Sequence, residues 1–145
     1  MFGHILLPTD GSDLATTAVD KGLDLAKALG ARVTFVTVVE PFHIVTFNPV
    51  ALEDNMRTYE EDAKRHVATV LAACEEKAKA AGVPCRTVSE TSDQPAAVIA
   101  GAAEAEGADL IAMASHGRRG LSALMLGSQT SRVLALAKVP VLVMR

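Results

Sequence analysis

Short apolar segments alternate along this chain with longer segments of helical periodicity. The apolar segments are rich in Val, Ile, Leu and Thr and too continuously apolar to be solvent-facing strands, which is typical of strands buried on both faces. Strict alternation of strand and helix predicts a parallel sheet covered by helices on both sides through right-handed crossovers. We therefore predict a doubly wound, Rossmann-like α/β fold with a five-stranded parallel sheet flanked by four helices.

The element bounds follow from where each pattern starts and stops. Strands are predicted at 4–8, 32–39, 85–90, 109–114 and 140–144, and helices at 13–29, 52–81, 96–106 and 127–138. Ser12 is the expected N-cap of the first helix and Gly30 its C-terminal stop. Segment 42–50 contains two Phe and one Pro, so it is predicted to be an apolar loop.

Composition narrows the class of protein. At 145 residues and 50% hydrophobic content, the chain is expected to form one domain over 1–145. The net charge is −3 with both signs interspersed, which argues against nucleic acid as a partner. No cationic leader and no apolar stretch of about 20 residues is present, so we expect a soluble, cytoplasmic protein with no membrane insertion.

The thiols and imidazoles form no recognisable reactive set. Cys74 and Cys85 are expected to be reduced and structural, because neither has a second metal-type ligand at short spacing. His116 is expected to pack beneath a loop, since its neighbours suggest no catalytic triad. The other three histidines are scattered without zinc spacing, and no metal site is predicted: His4, His43 and His66.

The most specific signal follows the fourth predicted strand. Ligands of open parallel sheets bind outside the carboxyl ends of the strands, where the strand order switches. Glycines there let a ligand approach the backbone, and a helix start at Gly127 offers amide donors and a positive dipole end to an anion. Two segments are concerned: Ala114-Ser115-His116-Gly117-Arg118-Arg119-Gly120 and Gly127-Ser128-Gln129-Thr130.

Two interpretations of this signal stay open on the residues alone. In the first, Ser128 caps the helix or gives its hydroxyl to a phosphate, the amides of Gln129 and Thr130 complete the cradle, and Arg118 or Arg119 adds positive charge. In the second, the glycines only form a tight turn and Ser128 only caps a helix. The apolar Leu121, Leu124, Met125 and Leu126 are expected to be core or interface.

Three motifs together resemble the universal stress protein family over essentially the whole chain. They are Pro8-Thr9-Asp10-Gly11-Ser12, then Ser115-His116-Gly117 with nine residues before Gly127-Ser128, and the ending Val139-Pro140-Val141-Leu142-Val143. In the nucleotide-binding branch of that family the phosphate motif is Gly, two residues, Gly, nine residues, Gly, and Ser or Thr. It falls here on Ala114, Gly117, Gly127 and Ser128, so alanine replaces the first glycine.

The resemblance also assigns roles and a fold of the adenine nucleotide alpha hydrolase-like type. It implies that Asp10 and the backbone of Val38 hold adenine, and that Pro8 and Thr9 line the ribose side. The phosphates then fall to Gly117, Gly127, Ser128, Gln129 and Thr130. Without it, Asp10 is equally a cap on the first helix and Val38 plain core, and both interpretations can hold together. The closing strand, Pro140 to Met144, is implied to pair with its twin in a homodimer.

The expected function is therefore that of a homodimeric, ATP-binding stress protein whose nucleotide tunes conformation or partner choice. AMP and ADP are alternative ligands, and accompanying Mg or Mn is left open. Gly-Lys-Ser/Thr is absent, which excludes a P-loop ATPase. The chain is expected not to be an enzyme, with slow hydrolysis or nucleotidyl transfer as one rival and a dimeric interaction protein without nucleotide as the other. The protein partner is not identified by the sequence.

Overall fold

A computed structural model describes residues 1–43, 47–116 and 125–145. Strand and helix alternate throughout this part of the chain, as predicted. The elements are β1 (His4–Pro8), α1 (Asp13–Leu29), β2 (Arg32–Val39), α2 (Pro49–Ala81), β3 (Cys85–Thr91), α3 (Pro95–Glu106), β4 (Leu110–Ala114), α4 (Ser128–Leu136) and β5 (Val141–Met144).

The five strands form one parallel sheet in the order β3-β2-β1-β4-β5. The prediction of a doubly wound α/β fold is confirmed. Strand β1 lies at the centre, where Ile5 pairs with Val33 of β2 on one side and with Leu110 of β4 on the other. The described strands at the two edges are β3 and β5.

Two apolar layers hold the helices against the sheet. On one face α1 and α2 pack through Leu23 and Ala78 onto β1 and β2, with Phe35 fully buried at the centre. On the other face Ile99 of α3 and Val133 of α4 pack onto alternate strand residues such as Ile111. Successive strand residues point to opposite faces, so continuously apolar strands are what a sheet covered on both sides requires.

The start of α2 corrects one prediction. Pro49 and Val50 were expected in a loop, but they form the first turn of the helix. Asn48 is the N-cap, and its Oδ1 accepts from the N–H groups of Val50 and Ala51 at 3.1 and 3.4 Å. Proline at the first helical position has a φ suited to the helix and loses no hydrogen bond there. Pro49 therefore begins this helix and is not part of the preceding loop.

Only the second half of α2 packs on the sheet. Its buried residues are Cys74 and Ala78, whereas Met56 is 40% and Tyr59 37% exposed. The rings of Tyr59 and Phe42 pack in a tilted arrangement with centroids 5.5 Å apart. The described part of the apolar segment after β2 therefore contacts the helix. No helix in the described ranges combines the length and apolarity needed to cross a membrane.

Both cysteines are free, and they differ in burial. Cys74 is buried between α1 and α2, where burial raises the pKa of its thiol to about 11. Cys85, at the start of β3, is half-buried. A thiol with so high a pKa carries almost no thiolate near neutral pH, which agrees with a structural cysteine.

At the amino end of β1, a buried histidine faces the interior. The His4 side chain is 4% exposed, and its Nε2 lies 2.8 Å from Thr34 Oγ1. Burial, helped by the positive charge of Arg32, lowers the pKa of His4 from 6.5. The folded chain therefore binds a proton at this imidazole less readily than the unfolded chain does.

The buried His4 predicts a loss of stability in mild acid. Because its folded pKa is depressed, the stability from neutral His4 is present above pH 6.5 and declines as the pH falls below that value. Denaturant unfolding at pH 7.5 and 5.0 is expected to show a larger loss in the wild type than in His4→Gln, which keeps Arg32 and Asp109 unchanged. Equal losses in the two proteins would contradict this prediction.

Two glycines of α3 form a matched pair for a stability test. Gly101 lies inside the helix, and in the described chain no atom outside this helix lies within 4 Å of the position that a Cβ would take there. Gly107 ends the helix at φ 67°. Gly101→Ala should raise the unfolding free energy by about 1 kcal/mol, because alanine favours the helix. Gly107→Ala should lower it by about 1 kcal/mol or more, because an L side chain is strained at positive φ. Thermal melts that shift in the same direction for both variants would contradict this.

Candidate functional site

The carboxyl ends of β1 and β4 form the switch point of the sheet. After β1 the chain turns to α1 on one face, and after β4 it continues to α4 on the opposite face. In folds of this kind, a ligand crevice is expected between two adjacent loops that leave in opposite directions. The described site residues that follow β1 and β4 lie on these two loops.

The loop between β1 and α1 is held by a dense set of hydrogen bonds. Thr9 is 7% exposed; its N–H donates to Val36 O at 2.9 Å, and Thr37 Oγ1 donates to Thr9 O at 3.0 Å. Asp10 Oδ1 accepts from Ser12 N–H at 2.9 Å. These bonds hold the Asp10 carboxylate within the loop that follows β1.

Ser12, not Asp10, caps α1. Ser12 Oγ accepts from Ala15 N–H at 3.3 Å, in agreement with the sequence prediction for Ser12. The interpretation of Asp10 as a helix cap is therefore wrong, because its carboxylate instead closes a turn with the residue two positions on.

His66 is a neighbour of this loop that the sequence did not reveal. Its Nε2 lies 3.2 Å from Asp10 O, although the two residues are 56 positions apart in the chain. The imidazole reaches the loop because α2 crosses beside α1. No local spacing signals such a contact, since it depends on how two helices pack.

The loop between β4 and α4 is also anchored through its backbone. Ser115 N–H donates to Met144 O and Gly127 N–H donates to Ser115 O, both at 2.8 Å. Thr130 is 2% exposed, and its hydroxyl lies 3.0 Å from Ala114 O and 3.2 Å from Ser115 O. The Thr130 hydroxyl therefore ties α4 to the end of β4.

Gly127 allows α4 to start directly against β4. A Cβ built on it would lie 2.8 Å from Ser115 O and 3.3 Å from His116 Cα, and both neighbours are backbone atoms. Its φ is −60°, so close approach, and not a left-handed conformation, requires glycine here. Any larger residue would collide with this backbone.

Gly127 is also the N-cap of α4, so of the two roles left open for Ser128 the cap is wrong. Ser128 is the first helical residue and is exposed. No side chain of the described residues caps this helix, and its first turn contains no acidic residue. By contrast, α1 has the Ser12 cap and Asp13 in its first turn. Of these two helix starts, α4 offers the better site for an anion.

The remaining predicted site residues lie as follows. Val38 is half-buried near the end of β2, and Pro8 ends β1. Ser115 is 3% exposed, and its Oγ lies 3.0 Å from His116 Nδ1. Gln129 Oε1 is buried with no hydrogen-bond partner among the described residues. Four predicted residues lie outside the described ranges: Gly117, Arg118, Arg119 and Gly120.

Alanine at position 114 causes no backbone strain. Ala114 is the last residue of β4, and no described residue other than glycine has a positive φ. The conformational cost that a left-handed residue would incur is therefore absent. Met125 and Leu126 were expected to be core or interface; they are 70% and 36% exposed, so they are not core of the described chain, and Leu121 and Leu124 lie outside the described ranges.

Metal binding by protein side chains finds no support in the described ranges. No group of three or more His, Cys, Asp or Glu residues there is placed to hold a metal ion.

These features define a doubly wound α/β protein with its candidate site at the switch point. The universal stress protein family model matches residues 1–145. A Thermus aquaticus protein, "Universal stress protein in QAH/OAS sulfhydrylase 3'region", is 36% identical over 145 residues, covering 100% of both chains. The chain therefore belongs to the universal stress protein family.

Solved structures agree with this assignment. The structure of hypothetical protein MJ0577 superposes with a TM-score of 0.78 at 26% identity, covering 99% of this chain and 96% of that one. A universal stress protein in complex with cAMP has a TM-score of 0.72 at 24% identity, covering 99% and 97%. At that identity the second likeness shows the fold alone.

The close approach at Gly127 predicts a large difference between two adjacent substitutions. Gly127→Ala should lower the unfolding free energy by about 1–3 kcal/mol, because the methyl group meets backbone that cannot turn aside. Ser128→Ala should change it by less than about 0.5 kcal/mol, because the hydroxyl caps nothing. Thermal melts of both variants check this, and a larger effect at Ser128 would show that its side chain does cap α4.

Proposed function

We propose that this universal stress protein binds an adenine nucleotide, with ATP as the preferred ligand, in the crevice between the β1–α1 and β4–α4 loops. The observation that carries the proposal is the start of α4. There the amides of Ser128, Gln129 and Thr130 lack a side-chain cap in the described chain, and Gly127 lets the helix begin in contact with the backbone at the end of β4. Amide donors and a positive dipole end favour a phosphate group.

The charge distribution orients the nucleotide within the crevice. The β1–α1 loop carries Asp10 and leads into Asp13, so polyphosphate is repelled from that side. A carboxylate suits the exocyclic amino group of adenine, which donates hydrogen bonds. In the proposed complex adenine therefore lies by Asp10 and the backbone of Val38, ribose by Pro8, Thr9 and Ala114, and the phosphates at the start of α4.

Three further residues of the β4–α4 side complete the proposed cradle. Ser128 is exposed at the first helical position, where its hydroxyl is placed to donate to a phosphate oxygen. The linked pair Ser115 and His116 borders Gly127 from the end of β4. Gly117, Arg118, Arg119 and Gly120 belong to the proposal through their sequence positions alone.

Two considerations favour an adenine nucleotide over another anion. A structural neighbour with the same fold is a complex with cAMP. The carboxylate of Asp10 at one end and the helix start at the other also match a ligand with a hydrogen-bond donor on its base and negative charge on its phosphates. AMP and ADP fit the same description with fewer phosphate contacts, and magnesium or manganese would accompany the phosphates.

We further propose that the nucleotide acts by changing conformation or partner choice, and that the chain forms a homodimer through β5. Each loop at the crevice is tied to a strand end: Thr9 to β2 and Ser115 to Met144 of β5. A ligand between the loops is thereby connected to an edge of the sheet. Leu142 of that edge strand is 40% exposed, which leaves apolar surface for a second copy.

The test of nucleotide binding uses Ser128→Ala with Ser131→Ala as its matched control. ATP with magnesium at one hundred times its dissociation constant should stabilise the wild type by about 2.7 kcal/mol. Ser128→Ala should weaken ATP binding about tenfold, because a hydrogen bond to a charged group is lost. Ser131 is exposed one turn further along α4. The Ser131→Ala variant should therefore bind ATP as tightly as the wild type does. Thermal melting measures the stabilisation, and calorimetric titration measures the dissociation constant for ATP of the wild type and of both variants.

The outcomes separate the rival functions. No thermal shift with millimolar ATP, ADP, AMP or cAMP would overturn the proposal in favour of an interaction protein without nucleotide. Phosphate release well above background, lost in Asp10→Ala, would indicate a slow ATPase instead. Mass spectrometry of the ligand freed by denaturing freshly purified protein identifies which nucleotide is held.

A further inference from the structure

The edge strand β3 offers a second surface for self-association, at the opposite side of the sheet from β5. Its seven residues, Cys85–Thr91, all pair with β2 in parallel, and no other described strand lies beyond it. An edge of this length presents a row of backbone donors and acceptors that another strand can use. The question is which strand fits.

The side chains of β3 that point towards α3 carry charges in a self-complementary order. Arg86 comes first, then Val88, then Glu90, at alternate positions on one face. In an antiparallel pair of two identical strands centred on Val88, Arg86 lies opposite Glu90 of the second copy, and the reverse holds on the other side of the axis. Opposite charges across an antiparallel pair stabilise it, whereas like charges destabilise it.

The opposite face of β3 accepts the same register. Thr87 would lie opposite Ser89, and Cys85 opposite Thr91, so no like charges meet there. A parallel or shifted register loses this match, because Arg86 would then no longer face Glu90. The pattern therefore fits one partner in one register, namely a second copy related by a two-fold axis.

The surroundings of β3 leave room for the side chains of the second copy. A groove of about 470 Å³ lies between β3 and α3, lined by Val88, Glu90 and small residues of the helix such as Ala97 and Ala105. At present Arg86 contacts Glu106 at 3.3 Å with 73% of its side chain exposed. The Glu106 side chain is only 18% exposed, so Arg86 keeps this partner and offers the exposed part of its guanidinium to Glu90 of the second copy.

From these observations we infer that β3 is an interface between two copies of this chain, paired antiparallel about Val88. The interface is separate from the one proposed at β5, and it does not depend on nucleotide. Both edges together would join the sheets of neighbouring copies into a larger assembly.

Cysteine cross-linking tests the register directly. Across an antiparallel pair, Cα atoms are about 4.5–5.5 Å apart, within the range of about 4.4–6.8 Å that a disulfide spans. Val88→Cys, in the full chain with Cys85→Ser, should therefore form a covalent dimer under mild oxidation. The matched control is Glu90→Cys with Cys85→Ser. Its two thiols would be offset by four residues, about 13 Å along the strand, and should not cross-link.

Charge exchange provides the second test, by sedimentation velocity of the folded variants. Arg86→Glu alone or Glu90→Arg alone should weaken the association step at least tenfold, and the double variant Arg86→Glu/Glu90→Arg should restore it. Cross-linking at Val88 and not at position 90, together with this rescue, supports the interface. Equal cross-linking at both positions, none at Val88, or a double variant no better than the single ones would overturn it.

Discussion

The position of β1 between β2 and β4 is the constraint on which the rest of the structure depends. Because the chain leaves β1 towards one face and β4 towards the other, the two loops at the carboxyl ends of these strands separate. The same arrangement fixes both apolar layers, since each strand must be covered on both sides. The candidate site is thus a consequence of strand order.

Two helix starts at that edge have opposite character, and the difference gives the crevice its polarity. Helix α1 is closed by Ser12 and preceded by Asp10, while α4 begins at a glycine pressed against the backbone of Ser115. A carboxylate at one end and uncapped amides at the other suit a ligand with a donor group and a negative tail. Gly127 is the residue on which this contrast depends most, because any side chain there would push α4 away from β4.

Sequence patterns predicted the fold well and its local chemistry less well. Periodicity identified each strand and helix of the described residues, because each element has its own apolar pattern and many have a capping or stop residue such as Ser12 or Gly30. It misplaced the start of α2 by reading Pro49 as a loop residue, although proline is also favoured at the first turn. It left open whether Ser128 caps α4, because spacing alone does not separate the N-cap from the next residue.

The sequence by itself determined the class of fold, the family and the two segments that border the crevice, because these depend on residues close together in the chain. Only the tertiary structure decided that His66 contacts the Asp10 loop, that Thr130 ties α4 to β4, and that β3 and β5 are the described edges. These features join residues far apart in sequence. Their contacts are set by the order of strands and the packing of helices, which no local pattern encodes.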